Sequence, residues 1–204
     1  MDGNALKQNA IRSQPSTNRV PRTTLNNTMT KVFWLYGRSG AGKTTLAKVL
    51  YRALLDRKIP TFYLDGDEMR SGVSADLAFT PEARLENHRR IAEVARLAAG
   101  QHLNVVASSM APEHAHRDIV ARTLGEKLVW IYVHAPLEVC MKRDPKGLYR
   151  RAQAGQLDKL INYPFDAPRP AERGHYIDTV ALGIEGASES VLEMVKVSLS
   201  DYAI

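Results

Sequence analysis

Residues Gly37-Arg38-Ser39-Gly40-Ala41-Gly42-Lys43-Thr44-Thr45 combine three glycines, a lysine and three hydroxyls within nine positions. That is the P-loop spacing: Gly, four variable residues, then Gly-Lys-Thr. Gly37, Gly40 and Gly42 allow tight backbone turns that point successive N–H groups, including those of Arg38, Ser39, Ala41 and Thr45, into one concavity. Lys43 is placed to reach the β- and γ-phosphates of a nucleoside triphosphate, and the Thr44 hydroxyl to bind Mg²⁺. A second cluster, Asp65-Gly66-Asp67, follows a short apolar run. One of these carboxylates could hold Mg²⁺ through water, and one could accept the proton of an acceptor hydroxyl. A solvated turn explains the same three residues equally well on spacing alone.

The elements that must carry these groups are legible around them. Residues 32–36 are apolar, β-branched and aromatic, which predicts a buried strand. Leu46, Leu50 and Leu54 recur at helical spacing, with Val49 and Ala53 beside them, so a helix opens at the end of the loop. Its free N–H groups and positive dipole end favour an anion there. Residues 61–64 predict a strand whose carboxyl end delivers Asp65 and Asp67 to the ligand edge of an open sheet.

Thr80-Pro81-Glu82 is a helix start, and the pattern runs to about residue 99 with Ile91, Val94, Ala95 and Ala98 as the expected buried stripe. Arg84 and Asn87 share one face of that helix, while Arg89, Arg90 and Arg96 read as solvated. Strands are expected over 103–107, 128–133 and 176–179, and helices over 113–124, 136–143 and 189–199. Alternation of strand and helix predicts an α/β fold of P-loop NTPase type, three layers deep, with helices on both faces of a central parallel sheet. Residues 144–173 hold Lys146, Arg150, Arg151, Lys159, Arg169 and Arg173 among glycines and prolines, which suggests a mobile basic lid.

Bulk properties narrow the classes. The 204 residues are 44% hydrophobic and 25% charged, enough for one globular domain with a full core, expected over 29–204. Half of the net charge of +6 sits in residues 1–30, where Lys7, Arg12, Arg19 and Arg22 face only Asp2. Residues 1–28 read as a polar, basic, flexible tail, with an arm for RNA or an acidic partner as the alternative. The modest remainder suits anionic small molecules rather than an extended nucleic-acid surface. The single Cys140 excludes an internal disulfide and a cysteine zinc cluster. With no apolar leader and no long apolar run, no membrane span is expected and the cytoplasm is the default location. A GTPase is disfavoured by the lack of an Asn-Lys-x-Asp stretch, and a late basic lid favours a kinase.

The ordered set of motifs resembles the adenylylsulfate (APS) kinase family. It comprises the loop 37–45, Leu64-Asp65-Gly66-Asp67 with Arg70, and Arg84 with Glu86-Asn87 and Arg89-Arg90. It continues with Pro136-Leu137-Glu138-Val139-Cys140, Arg143-Asp144 and Lys146-Gly147-Leu148-Tyr149, so the similarity spans about residues 31–190. The resemblance implies Mg²⁺-dependent transfer of the ATP γ-phosphate to the 3′-hydroxyl of APS, giving PAPS and ADP, by an enzyme that is usually a homodimer. It also implies that Asp67, Arg70, Phe79, Arg84 and Asn87 bind APS, that Lys146, Gly147 and Leu148 are lid contacts, and that Arg143 lies near ATP. The chemistry fits: Arg70 and Arg84 can grip a sulfate–phosphate anion, Phe79 can stack on adenine, and Asn87 can hydrogen-bond the nucleotide. The plain alternatives are a core role for Phe79 and an exposed helix charge for Arg84. Asp67 is the expected base, with Asp65 the runner-up or the Mg²⁺-side carboxylate.

Five positions depart from the family pattern. Met110-Ala111-Pro112 stands where the family has Ile-Ser-Pro, Leu160 where a lid phenylalanine closes on adenine, Glu68 for Asn and Ala78 for Gly. Ser108 and Ser109 are near the lost serine in sequence but are expected to point elsewhere. Two rival readings follow. One is a related P-loop kinase acting on a different nucleotide-linked or small-alcohol acceptor. The other is a catalytically silent nucleotide-binding module whose basic tail contacts a partner.

Overall fold

The computed structural model describes residues 30–156 and 165–198. The proposed tail over 1–28, Leu160 and Lys159 lie outside the described residues. In chain order the elements are β1 (Val32–Tyr36), α1 (Lys43–Asp56), β2 (Thr61–Asp65), α2 (Gly66–Ser71), α3 (Pro81–Gly100), β3 (Asn104–Ser109) and α4 (His114–Leu124). They continue with β4 (Leu128–His134), α5 (Leu137–Arg143), α6 (Leu148–Gln153), α7 (Pro170–Arg173), β5 (His175–Asp178) and α8 (Gly183–Ser198).

The five strands form one parallel sheet in the order β2-β3-β1-β4-β5. β1 lies at the centre, with Trp34 opposite Ala107 on one side and Trp130 on the other. All five of its residues are fully buried. Phe33 and Leu35 pack with Leu46, Leu50 and Leu54 of α1 and with Ala187 and Val191 of α8. Val32, Trp34 and Tyr36 pack on the other face, with Ile91 and Ala95 of α3 and Val120 of α4. Burial on both faces is why this strand is apolar throughout rather than alternating. At about 1.5–3 kcal/mol per large side chain, it is a major contributor to the core. The expected three-layer architecture is therefore present.

Several boundaries differ from expectation. The buried stripe of α3 is Asn87, His88, Ile91, Ala92, Ala95 and Ala99, whereas Val94 and Ala98 are only partly buried. Close packing of α3 on α4 turns the alanine-rich side inward. Arg90 is not a free surface charge: it bonds Glu86, Asp76 and the Val73 carbonyl, so it ties the loop after α2 to α3. The last helix begins at Gly183, six residues before the expected 189. Gly183 takes a left-handed φ of 65° at the start of the helix, and Ala187 is buried beyond it. The basic segment 144–173 is not all lid. Tyr149 is 3% exposed within the core, and Glu172 is 4% exposed beside the fully buried Arg117.

That last pair belongs to a buried polar seam. Arg117 pairs with Glu172 at 3.0 Å and donates to the Ala111 and Pro112 carbonyls at 2.8 and 2.9 Å. Beside it, His88 and His116 lie with ring centroids 4.5 Å apart. Burial and the neighbouring His116 push His88 down to about 3; burial and the Arg84 and Arg117 guanidinium groups push His116 down to about 4. Both rings are thus neutral when folded, while an unfolded histidine titrates near 6.5. The unfolded chain binds more protons below that value, so this stabilisation is present above pH 6.5 and is lost as the pH falls towards 4. Thermal melts should show stability falling by up to about 1.4 kcal/mol per pH unit for each ring below pH 6.5, and His88→Leu should flatten that slope.

Candidate active site

The phosphate loop hangs from the carboxyl end of β1, where the chain turns into α1. Gly37, Gly40 and Gly42 have φ of 149°, 80° and 107°. A Cβ at Gly37 would strike the Val133 carbonyl oxygen, and one at Gly40 would lie 2.8 Å from the Cys140 carbonyl oxygen. The loop is therefore pressed onto the end of β4 and onto α5, and only glycine fits. Its carbonyls are fixed one after another. Lys43 Nζ donates to Arg38 O at 2.8 Å, and the Tyr149 hydroxyl to Ser39 O at 3.1 Å. Arg143 donates to Gly40 O at 3.3 Å, and the Thr179 hydroxyl to Ala41 O at 3.0 Å. The first turn of α1 carries no acidic side chain, so its N–H groups and dipole remain available to an anion. Burial and the nearby Lys146 ammonium push Lys43 down to about 8.

Asp65 closes the other side of this floor. As the cap of α2, its Oδ1 accepts the Asp67 N–H at 2.9 Å. Its Oδ2 accepts from the Ser108, Tyr63 and Thr44 hydroxyls at 3.0, 3.1 and 3.4 Å. Burial pushes this carboxyl up, but those hydrogen bonds and Lys146 outweigh it and hold it below its ordinary value. The solvated-turn alternative fails for Asp65, which is 7% exposed. Asp67, two residues on in the first turn of α2, projects into the open and pairs with Lys146 from the 144–156 segment. Asp144 accepts the Tyr149 and Arg150 N–H groups, and Gly147 has φ 63°, so the turn bearing Lys146 is itself anchored.

The far wall is built by α2 and α3. Arg70 donates to the Leu77 and Ala78 carbonyls, and Arg84 Nε to the Phe79 carbonyl at 3.1 Å. Their guanidinium carbons lie 4.8 and 5.8 Å from the Phe79 ring centroid. Phe79 is 72% exposed, which removes the core-residue alternative. Asn87 is 5% exposed, lines the cavity, and its Oδ1 has no partner among the described residues. A buried carbonyl left without a donor costs about 1–3 kcal/mol, so it points to a ligand that supplies one.

The loop, the two carboxylates and the far wall open into one cavity of about 760 Å³, large enough for a nucleotide-sized ligand. Ser39, Lys43 and Thr44 stand at one end, Asp65 and Asp67 in the middle, and Arg70, Phe79, Arg84 and Asn87 at the other. Lys146 and Leu148 border it from the 144–156 segment. Ala41 is buried and Thr45 is exposed, so any part they take is through the backbone. Ser108 and Ser109 also line the cavity: contrary to expectation the Ser108 hydroxyl donates to Asp65 at 3.0 Å, whereas the Ser109 hydroxyl points away and accepts from the Trp34 indole N–H at 3.0 Å. His88, His116 and Thr179 were missed in the sequence, where a lone histidine or threonine carries no spacing signal.

A family model described as adenylylsulphate kinase matches residues 29–173. The chain belongs to the adenylylsulphate kinase family. It is 47% identical over 143 residues to the adenylyl-sulfate kinase of Paraburkholderia xenovorans, an alignment covering 69% of this chain and 80% of the relative. It resembles the Mycobacterium tuberculosis APS kinase CysC in complex with AMPPNP and APS with a TM-score of 0.75 at 31% identity, covering 83% of this chain and 97% of that one. A hexameric APS kinase from Thiobacillus denitrificans matches with a TM-score of 0.60 at 25% identity, over 83% of this chain and 30% of that one.

Because Lys43 is pushed down to about 8 in the free protein, an arriving triphosphate should raise it and draw in a proton. At pH 8, calorimetry of ATP-analogue binding in buffers of different ionisation enthalpy should reveal uptake of about half a proton. Lys43→Arg, which keeps its charge at all accessible pH, should abolish that uptake.

Proposed function

We propose that this protein is an APS kinase, transferring the γ-phosphate of ATP to the 3′-hydroxyl of APS to give PAPS and ADP. The observation that carries the reading is the single cavity with a phosphate loop at one end and the Arg70–Phe79–Arg84–Asn87 wall at the other. Between them stand a buried carboxylate and a reachable one. Family membership and the APS-complexed relative support the choice of acceptor.

In this reading the loop amides and Lys43 hold the β- and γ-phosphates. Arg70 and Arg84 grip the phosphosulfate, Phe79 stacks on the adenine, and Asn87 Oδ1 accepts an N–H from the base. Asp67 takes the 3′-hydroxyl proton. Its exposure leaves it reachable, whereas Asp65 already accepts four hydrogen bonds. The Lys146–Asp67 pair must therefore loosen as substrates enter, releasing Asp67 as base and Lys146 as a phosphate partner. Gly147 and Leu148 bring Lys146 over the cavity, and Arg143 steadies the ATP end through Gly40 and Thr179. Thr44 and the ionised Asp65 are hard oxygen donors side by side, which suits Mg²⁺; the ion would neutralise phosphate charge. Most of the rate enhancement then comes from positioning and electrostatics.

We further propose a homodimer acting in the cytoplasm on these soluble nucleotides; light scattering would read the assembly. No helix among the described residues is long and apolar enough to cross a membrane.

Purified protein with ATP and Mg²⁺ should release ADP rapidly when APS is added, and at background with other nucleotides or small alcohols. Lys43→Ala should abolish turnover while leaving the melting profile intact, and Asp67→Asn should lower kcat about 10²–10⁴-fold. Strong turnover on a different acceptor would transfer the assignment to that substrate. ATP binding without any acceptor-dependent release would reduce the protein to a binding module.

A further inference from the structure

The family's serine is absent at Ala111, and a pair of histidines packs around the loop that replaces it. Ala111 is fully buried with a left-handed φ of 38°. Its N–H donates to His88 Nε2 at 3.2 Å, and its carbonyl accepts from Arg117 at 2.8 Å. His88 Nδ1 lies 2.8 Å from the Arg84 carbonyl, which can only accept. The proton of His88 is therefore on Nδ1, and both ring nitrogens are used in fastening the 110–112 loop to α3.

His116 differs. It packs against His88 and lines the cavity together with Arg84 and Asn87. Its Nδ1 accepts the Glu113 N–H at 3.2 Å, closing the cap of α4. Burial and the Arg84 and Arg117 guanidinium groups hold the ring neutral at physiological pH. A neutral imidazole whose Nδ1 accepts must carry its hydrogen on Nε2. None of the hydrogen bonds among the described residues engages that Nε2, and His116, 1% exposed, lines the cavity.

We propose that His116 is a specificity residue for the acceptor, donating Nε2–H to an oxygen of the bound APS. The nearby Arg84 makes an anionic oxygen the fitting partner, and α4 presents the donor from a wall that the family motifs on α2 and α3 do not supply. His88 is a positioning residue that fixes the loop and the ring stack behind it. The inference rests on the APS kinase reading and deepens it by adding a neutral donor to the two guanidinium groups.

The experiment is steady-state kinetics of the full chain with APS and with ATP varied separately, for the wild type, His116→Gln and His116→Phe. Loss of one buried hydrogen bond should raise KM for APS about 5–30-fold in His116→Phe, with KM for ATP within twofold of the wild type. His116→Gln keeps an N–H donor and should recover much of the loss. As a readout independent of catalysis, the ¹⁵N resonance of His116 Nε2 should shift when APS is added to wild-type protein with ADP. An unchanged KM for APS in His116→Phe, or equal losses for ATP and APS, would overturn the role of His116 while leaving the kinase reading intact. So would a silent Nε2 resonance, which decides the question even if His116→Phe fails to fold. A wild type that does not turn over APS would overturn both.

Discussion

The site depends on one steric fact: the phosphate loop lies against the backbone of β4 and α5 with no room for a side chain at Gly37 or Gly40. That contact places the loop relative to the sheet, and everything else is arranged around it. Tyr149, Arg143 and Thr179 fasten its carbonyls from three different elements, so the segment after α5 and the end of β5 are drawn to the same place. The loop is held from behind, and its helix N-terminus is left to face an anion.

Charge is distributed along the cavity in a way that follows from burial. The deep end has Lys43 and an ionised Asp65 wrapped in donors, a fixed pair that needs no rearrangement to meet a polyphosphate. The shallow end has guanidinium groups resting on an exposed aromatic ring and bonded to the carbonyls of their own loop. Those contacts hold the arginines extended before a ligand arrives and lower the entropic cost of binding. Between the two ends, the Lys146–Asp67 pair must change partners for the proposed chemistry to occur.

Much of this was legible in the chain. The P-loop, the apolar β1 and the stripe of α1 reinforce one another, and each is visible within a window of a few residues. Thr80-Pro81-Glu82 marks the start of α3 because capping is local chemistry, and the cap is formed as expected by the Thr80 hydroxyl. The failures have a common cause. Burial of Arg117 and Glu172, the turn of Arg90 onto Asp76 and Val73, and the convergence of Ser108 and Thr179 on the site all depend on partners 14 or more residues away or on sheet register. Nothing in their immediate neighbours encodes those meetings. The early start of α8 was hidden for a different reason: Gly183, a residue type that usually ends a helix, here sits at the start of one.

Cys140 gives the loop contact a practical use. It is the sole thiol in the chain, fully buried, and its main-chain carbonyl is the surface on which Gly40 rests. Burial also pushes its thiol up, so the reactive thiolate is scarce while α5 stays in place. An alkylating reagent can reach the sulfur only when that helix lifts from beneath the nucleotide floor. The protein therefore carries its own stopwatch for breathing of the catalytic platform, one that should slow when a triphosphate clamps the loop down.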